Sequence, residues 1–341
     1  MNEPTLPSAA VPLTILTGFL GAGKTTLLKR ILTGDHGLRA AVLVNDFGAI
    51  NIDADLIVGI DENVVSLANG CVCCSIRDDL IAAVDDLIAL PQPPEYIILE
   101  ASGIADPAGI TITFSTNRTD SRVRLDTIIC VLDAEEVFET PDHMPLKQSQ
   151  IAAADLLLLN KVDLVNQSQI EKIDHWLFEN FRRHRVIKAT QCDVPMEILL
   201  GAGRLDPGHM ESDRIEAYDR LEDHDHSVCS AENCSHREHD TKAFKTWSYE
   251  TCSAFSLGAL EQVVAKLPVN IYRCKGVLNT VETPERKTIL QVVGKRVSFS
   301  DGGSWNQSAP MSRIVVIAAD GELDLDFLKE QFDQCLGYLF L

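Results

Sequence analysis

The sequence predicts an α/β protein: a mostly parallel sheet covered by helices on both faces, followed by a small α+β domain. Between residues 10 and 200, short runs of Ile, Val and Leu alternate with helical patterns. Strands of parallel sheets are buried on both faces and therefore form continuous apolar runs. After a polar segment, the apolar pattern returns near residue 244. We therefore expect domains at 1–203 and 244–341, joined by a polar linker at 204–243.

The predicted elements follow this alternation along the chain. The strands of the first domain are Leu13–Thr17, Ala40–Asn45, Tyr96–Glu100, Thr127–Asp133, Asp155–Asn160 and Arg185–Ala189. Its helices include Asp78–Leu90 and Gln167–Phe181. The second domain is expected to contain strands Lys245–Tyr249, Ile271–Leu278, Thr288–Val293 and Arg313–Ala318, with helices Ser256–Leu267 and Leu323–Cys335. In such sheets, ligands bind at the carboxyl ends of the strands.

Residues 18–26 read GFLGAGKTT, which fits the phosphate-binding pattern G-x-x-x-x-G-K-[ST]. A strand precedes the pattern and a helix follows it, which is the context the motif requires and which an ordinary glycine-rich turn lacks. Lys24 is expected to reach the β- and γ-phosphates, and the Thr25 hydroxyl to bind Mg²⁺. The residues predicted to bind the nucleotide here are Gly18, Gly21, Ala22, Gly23, Lys24, Thr25 and Thr26. The fold class is therefore that of a P-loop NTPase.

A second motif, Asn160-Lys161-Val162-Asp163, follows an apolar strand and indicates which nucleotide base the protein binds. The Asp163 carboxylate can accept hydrogen bonds from the ring N–H and the exocyclic amine of guanine, and adenine offers no such pair. Lys161 can lie along the nucleotide, and Asn160 can brace the loop. A helix-capping turn is the alternative, but the position of the tetrad favours GTP over ATP.

Acidic and glycine residues at two strand ends complete the predicted catalytic site. Glu100 ends an apolar strand and is well placed to hold Mg²⁺, directly or through water. Gly103 could give its N–H to the γ-phosphate. Asp46 is the candidate for positioning the attacking water or the metal, so that the predicted catalytic residues are Lys24, Asp46 and Glu100. Arg77 and Arg118 are candidates for a catalytic arginine.

Three thiols lie close together in Asn69-Gly70-Cys71-Val72-Cys73-Cys74. A buried structural cluster and a redox pair are the alternatives to a metal site. Adjacent cysteines are poorly placed to bridge each other, so metal binding by Cys71, Cys73 and Cys74 is favoured. Soft thiolates select Zn²⁺, Cu⁺ and related ions, and three of them leave a tetrahedral Zn²⁺ one ligand short.

The polar linker carries a second candidate metal site. Its ligand candidates are His224, His226, Cys229, Cys234, His236 and His239. Their spacing matches no closed zinc finger, and a solvated loop rich in histidine is the alternative. The other cysteines lie in or beside apolar runs and are predicted to be small core residues: Cys130, Cys192, Cys252, Cys274 and Cys335.

Composition limits the classes of partner. The net charge is −20, with no basic stripe, which argues against nucleic acid as the main partner. No secretory signal and no apolar run long enough to cross a membrane is found, so a cytoplasmic protein is expected. The oligomeric state stays open, a homo-oligomer included.

Together these motifs resemble the CobW family of P-loop GTPases, which includes zinc-regulated GTPase metalloprotein activators. The similar segments are GFLGAGKTT at 18–26, VNDFG at 44–48, NGCVCC at 69–74, EASGIADP at 100–107 and NKVD at 160–163. The resemblance implies a GTPase that binds Zn²⁺ or Co²⁺ at the thiols and hands it to a client metalloprotein. Many members carry a glutamate where Ala49 stands, so the fourth ligand stays open, with Asp46 and Asp53 as candidates.

The sequence therefore predicts a GTP-hydrolysing metallochaperone that uses GTP, Mg²⁺ and Zn²⁺ and has a client metalloprotein as its partner. Three thiolates suit Co²⁺ as well, so a cobalt insertion factor for cobalamin synthesis or nitrile hydratase is an alternative. A metal buffer or sensor gated by nucleotide is another. A P-loop kinase is the weakest alternative.

Overall fold

The computed structural model describes residues 10–34, 37–45, 64–66, 75–115, 122–181, 184–200, 244–306, 308–319 and 324–337. The chain divides into two compact units, one formed by residues 1–202 with Val293–Arg296 and the other by residues 203–292 and 297–341. The predicted linker at 204–243 lies outside the described residues.

The first unit is built on a seven-stranded sheet in which every recorded pairing is parallel. Its strands are β1 (Val11–Thr17), β2 (Ala40–Asn45), β3 (Val64–Ser66), β4 (Tyr96–Ala101), β5 (Val123–Asp133), β6 (Leu156–Asn160) and β7 (Arg185–Lys188). Their order across the sheet is β3-β2-β4-β1-β5-β6-β7. The phosphate-binding loop follows β1, which therefore lies in the middle of the sheet.

Helices alternate with these strands. They are α1 (Lys24–Thr33), α2 (Ser75–Ile88), α3 (Ala108–Ser115), α4 (Met144–Ala153), α5 (Gln167–Asn180) and α6 (Met196–Leu200), with 3₁₀ turns at Pro141–His143 and Val162–Leu164. Asn166 caps α5 by accepting a hydrogen bond from the Gln169 N–H over 2.9 Å, which satisfies one of the donors exposed at a helix start.

Both faces of the sheet are buried. Leu13 and Ile15 of β1 belong to a core that also contains residues of α2, α3, α4 and α5. Leu16 projects from the opposite face and is 1% exposed, and α1 buries Leu27 and Leu28. A sheet covered on both sides explains the unbroken apolar runs in the sequence. The predicted parallel α/β class is confirmed.

The second unit is a small α+β domain with one five-stranded sheet in the order β11-β10-β9-β12-β8. The strands are β8 (Phe244–Thr251), β9 (Ile271–Leu278), β10 (Arg286–Val293), β11 (Arg296–Ser304) and β12 (Ser312–Ala319). Strand β12 pairs antiparallel with both β8 and β9. Helices α7 (Leu257–Val264) and α8 (Leu325–Asp333) bury apolar residues in the same core as the sheet.

Two strands were not predicted from the sequence. Strand β11 is mostly polar and carries two adjacent glycines at its end, and it lies at the edge of its sheet, where little apolar surface needs to be buried. Strand β3 has only three residues, too few to show a periodicity. Among the described helices, none is long and apolar enough to cross a membrane.

Candidate nucleotide-binding and metal site

The phosphate-binding loop joins β1 to α1, and its glycines are required by close backbone contacts. Gly18 has φ 135°, and a Cβ atom there would lie 2.2 Å from the carbonyl oxygen of Val131. Gly23 has φ 110°, and a Cβ atom there would lie 2.5 Å from Nδ2 of Asn160. No other residue type fits either position without moving its neighbours. The loop therefore packs directly onto β5 and onto the residue that ends β6.

Lys24 begins α1 and lies across the loop. Its ammonium donates hydrogen bonds to the carbonyl oxygens of Gly18 over 2.9 Å and of Phe19 over 3.2 Å. The side chain is buried, so these contacts hold a positive charge against the loop and beside the N-terminus of a helix. A positive charge and a helix N-terminus thus lie together, an arrangement that suits an anionic ligand.

Thr25 and Glu100 lie close together in a cleft that the phosphate-binding loop lines. The Thr25 hydroxyl donates a hydrogen bond to Oε1 of Glu100 over 3.4 Å, and Glu100 is buried. The cleft has a volume of about 370 Å³, and its walls come from the phosphate-binding loop, β2 and the segment after β4. A hydroxyl beside a carboxylate is an oxygen donor set that suits Mg²⁺, which prefers hard oxygen ligands. The residues predicted for this ion therefore fit it.

Gly103 also lines that cleft. It is the second residue of a turn closed by a hydrogen bond from the Ala105 N–H to the Ser102 carbonyl over 3.0 Å. A Cβ atom on Gly103 would lie 2.9 Å from the backbone nitrogen of Leu20, so the turn packs against the phosphate-binding loop. Sequence reasoning missed the side chain that holds this turn, Gln150 of α4.

Asn160 ties together two loops that are remote in sequence. Its amide nitrogen donates to the carbonyl oxygen of Ala22 over 3.0 Å, and its amide oxygen accepts from the Cys192 N–H over 2.8 Å. Asn160 is buried, as is Cys192, whose thiol donates to the Gly23 carbonyl over 3.4 Å. The segment that follows β7 is thereby fixed to the phosphate-binding loop.

Lys161 and Asp163 of the tetrad lie nearer the surface. Lys161 has φ 61°, and its ammonium contacts the Asp133 carboxylate at 2.5 Å. This hydrogen bond raises the pKa of Lys161 and keeps it charged. Asp163 lies in the 3₁₀ turn and is exposed. Its carboxylate is therefore accessible as a hydrogen-bond acceptor for a nucleotide base. Asp133, which ends β5, was not predicted as part of the site.

The loop after β7 is a further part of the site that the sequence did not reveal. Arg30 of α1 donates to the carbonyl oxygen of Gln191 over 2.6 Å and to the Asp193 carboxylate over 2.8 Å. Gln191 and Cys192 both have positive φ, 51° and 57°. The position of this loop, at the carboxyl end of a parallel strand, was the signal that could have identified it.

The cysteines outside the thiol cluster differ in exposure. Cys130, Cys192, Cys274 and Cys335 are buried, as predicted, but Cys252 is exposed. The prediction for Cys252 was wrong because this residue directly follows β8, a strand in which half of the residues are exposed and only one is buried. Burial raises the pKa of Cys130 and of Cys192 to about 12, so both stay protonated thiols that bind metal poorly.

Several predicted site residues lie outside the described part of the chain. They are Asp46, Asp53, Cys71, Cys73, Cys74, Arg118, His224, His226, Cys229, Cys234, His236 and His239. For Arg77, the structure describes the backbone, which lies in α2, but not the side chain. Within the described ranges no group of three or more His, Cys, Asp or Glu side chains is arranged to hold a metal ion.

Comparison with known proteins agrees with this architecture. Residues 12–188 match the family "CobW/HypB/UreG, nucleotide-binding domain", and residues 244–336 match "Cobalamin synthesis protein cobW C-terminal domain". The chain is 29% identical over 340 residues to the zinc chaperone CobW of Sinorhizobium sp, spanning 90% of this chain and 92% of that protein.

Two further relatives are similar over different lengths. The zinc-regulated GTPase metalloprotein activator 1 of Dictyostelium discoideum is 28% identical over 336 residues, spanning 86% of this chain and 68% of its own length. The zinc chaperone YjiA of Escherichia coli is 36% identical over 194 residues, spanning 55% of this chain and 60% of its own. The first family match covers more than half of the chain and contains the whole phosphate-binding loop. The chain belongs to the CobW/HypB/UreG family of nucleotide-binding proteins.

Proposed function

We propose that this protein is a GTP-dependent metallochaperone that binds Zn²⁺ at Cys71, Cys73 and Cys74 and passes it to a client metalloprotein. The chain is a GTPase of the CobW/HypB/UreG family. The observation that carries the proposal is the cleft in which Lys24 and the Thr25–Glu100 pair converge. The relatives named zinc chaperones support zinc as the cargo.

The residues of the cleft are proposed to have different roles in GTP hydrolysis. In the proposed reaction, water attacks the γ-phosphorus, the bond to the β–γ bridging oxygen breaks, and GDP leaves with the electron pair while the proton of the water passes to phosphate. Lys24 and the backbone N–H groups of its loop neutralise charge on the β- and γ-phosphates. Thr25 and Glu100 would hold Mg²⁺, which supplies further charge neutralisation. Asp46 is proposed to position the water.

Guanine is proposed to bind between the Asn160–Asp163 turn and the loop after β7. The exposed carboxylate of Asp163 accepts two hydrogen bonds from the base. Buried Asn160 is hydrogen-bonded to the phosphate-binding loop and to the loop after β7, and so fixes their relative positions. Lys161 is held by Asp133 at the rim of the same region. An adenine ring lacks the paired ring N–H and amine donors that Asp163 accepts from guanine, so GTP is preferred over ATP.

Strand register supports coupling of the metal to the nucleotide. Ser66, the last residue of β3, pairs with Val44 of β2, and Val44 pairs in turn with Glu100 of β4. Two strand spacings of about 4.8 Å each put Ser66 about 10 Å from Glu100 at the same edge of the sheet. The chain reaches Cys71 five residues after Ser66 and begins α2 at Ser75. Ser66, from which the chain continues to the cysteines, therefore lies at the same edge of the sheet as Glu100, which we propose holds Mg²⁺.

The test is steady-state GTP hydrolysis with Mg²⁺, with and without one equivalent of Zn²⁺, in the wild type, Cys73→Ala and Cys252→Ala. Cys252 is an exposed thiol outside the cluster and makes a matched control. Stimulation by Zn²⁺ in the wild type and in Cys252→Ala, but not in Cys73→Ala, supports the proposal. Equal rates with and without Zn²⁺ in all three contradict the coupling. Stimulation by Co²⁺ but not by Zn²⁺ supports a cobalt cargo instead.

A further inference from the structure

Gln150 of α4 holds the turn that follows β4. The residue is 1% exposed, and its amide nitrogen donates to the carbonyl oxygen of Gly103 over 3.1 Å and to that of Ala105 over 3.2 Å. A primary amide nitrogen carries two hydrogens, so one side chain can satisfy both carbonyl groups. Both carbonyls belong to the same turn, and they are fixed by a residue more than forty positions further along the chain.

The held turn contributes Gly103 to the lining of the cleft that also contains Lys24 and Thr25. Ser102 and Ala105 close it by a backbone hydrogen bond of 3.0 Å, and Gly103 packs against Leu20 of the phosphate-binding loop. Glycine has wide backbone freedom, so a turn led by Gly103 would sample several orientations if nothing fixed its carbonyl. A peptide unit is planar, and fixing carbonyl groups on either side of Ile104 therefore limits how the whole turn can rotate.

Helix α4 is itself anchored to the phosphate-binding loop. The Lys147 ammonium donates to the carbonyl oxygens of Glu136 and Glu139 and lies 5.0 Å from the centre of the Phe19 ring. Phe19 belongs to the loop that holds Lys24. The position of Gln150 is thus set relative to the same loop that is to bind the phosphates, which is what accurate placement requires.

We propose that Gln150 is a positioning residue for GTP hydrolysis, which holds the Ser102–Ala105 turn so that the Gly103 N–H faces the γ-phosphate. The inference rests on the proposed role of Gly103 at that phosphate. Gln150 acts through the turn and does not contact the nucleotide. Its contribution is therefore specific for ligands with a γ-phosphate, and GDP binding does not depend on it.

The test compares Gln150→Met, Gln150→Glu and the matched control Gln148→Glu. Methionine keeps the length of the side chain without a donor, and glutamate directs acceptors at two carbonyl oxygens. Gln148 is a half-exposed glutamine on the same helix and receives the same change of charge. Each variant is measured for hydrolysis rate at saturating GTP and for its affinity for GDP and for a hydrolysis-resistant β,γ-imido analogue of GTP. Thermal melting reports whether each variant is folded.

We expect hydrolysis and analogue affinity to fall by about tenfold or more in both Gln150 variants, with GDP affinity within about twofold of the wild type. Gln148→Glu is expected to match the wild type in all three. An equal loss of GDP and analogue affinity in folded Gln150→Met would show a purely structural role and overturn the inference, as would unchanged hydrolysis. The binding measurements use Mg²⁺ but need no Zn²⁺, so loss of zinc stimulation would count against the chaperone proposal alone.

Discussion

The side-chain amide of Asn160 donates a hydrogen bond of 3.0 Å to the backbone carbonyl of Ala22, and so joins the proposed base-binding turn to the phosphate-binding loop. The same side chain accepts a hydrogen bond from Cys192. The two ends of the nucleotide are therefore expected to be bound by one connected structure, whose parts cannot be altered independently.

Replacing Asn160 with alanine is expected to weaken GDP and GTP binding together. The variant leaves the Ala22 carbonyl and the Cys192 N–H buried without their partner, at a cost of about 1–3 kcal/mol each. Nucleotide affinity measured by calorimetry should fall about tenfold or more for both ligands, with a lower melting temperature. The control is Asn180→Ala, which removes an exposed amide that bonds within α5 and should change neither quantity. A loss confined to GTP would contradict this account of Asn160.

Replacing Gly23 with alanine is expected to abolish tight nucleotide binding. The new Cβ would lie 2.5 Å from Nδ2 of Asn160, at a φ of 110° that side-chain-bearing residues rarely adopt. Relieving that contact must displace Asn160 or the loop, so nucleotide affinity should fall by about two orders of magnitude. Calorimetry on a double-mutant cycle with Asn160→Ala measures how much of this loss arises from the contact with Asn160.

Gly109→Ala is the matched control for Gly23→Ala. Gly109 lies in α3, and a Cβ atom there would meet nothing within 4 Å. This variant should bind nucleotide normally and have a free energy of unfolding higher by about 0.4–1 kcal/mol, because alanine has less backbone entropy to lose on folding than glycine. Normal nucleotide affinity in Gly23→Ala would show that the loop tolerates the side chain.

Replacing Asp163 with asparagine is expected to change the preferred base. Xanthine carries a carbonyl where guanine carries its exocyclic amine, and an asparagine amide can donate to that carbonyl. Because hydrogen bonds to a charged group contribute about 1.5–3 kcal/mol, GTP affinity should fall by about tenfold to a hundredfold while XTP affinity rises. Asp174→Asn, an exposed carboxylate paired with Lys188, should keep the preference for GTP. If Asp163→Asn also keeps it, the base is read elsewhere.

Replacing Glu100 with glutamine is expected to slow hydrolysis and to raise the Mg²⁺ concentration that hydrolysis needs. The change keeps the shape of a buried side chain 3.4 Å from the Thr25 hydroxyl but removes its charge. Loss of an electrostatic contact in a catalytic site typically costs about a hundredfold or more in kcat, whereas GDP affinity without Mg²⁺ should be unchanged.

Glu95→Gln provides the comparison for Glu100→Gln. Glu95 lies just before β4, is exposed, and accepts a hydrogen bond from the Arg39 N–H over 3.0 Å. Its variant should hydrolyse GTP at the wild-type rate with the wild-type dependence on Mg²⁺. The same Mg²⁺ dependence in both variants would remove Glu100 from the metal site.

The strands that end in functional residues could be predicted because both faces of the sheet are covered. Burial on two sides makes β4 and β6 largely apolar runs, so Glu100, next to the end of β4, and Asn160, at the end of β6, stand out as polar residues. The contact of Gln150 with Gly103 could not be predicted in this way. It joins residues on separate elements, and a single glutamine in a helix has no pattern that reveals its partner.

The edge strand β11 and the loop after β7 could not be predicted from the sequence either. Strand β11 exposes much of its surface and lacks an apolar alternation, because an edge strand is held mainly by backbone hydrogen bonds to one neighbour. The loop that follows β7 is likewise held by contacts to Asn160 and Arg30, not by a motif of its own. Both depend on tertiary pairing that local sequence does not encode.

The most direct test of the central claim is the Zn²⁺ affinity of the protein in two nucleotide states, measured by competition with a fluorescent chelator. Coupling between two sites is reciprocal, so a thiol site linked to the cleft must bind Zn²⁺ with different affinity when GDP replaces a hydrolysis-resistant GTP analogue. We expect a difference of about tenfold or more in the wild type and in Cys252→Ala, and none in Cys73→Ala. Equal Zn²⁺ affinity in both nucleotide states of the wild type would contradict nucleotide-driven metal transfer.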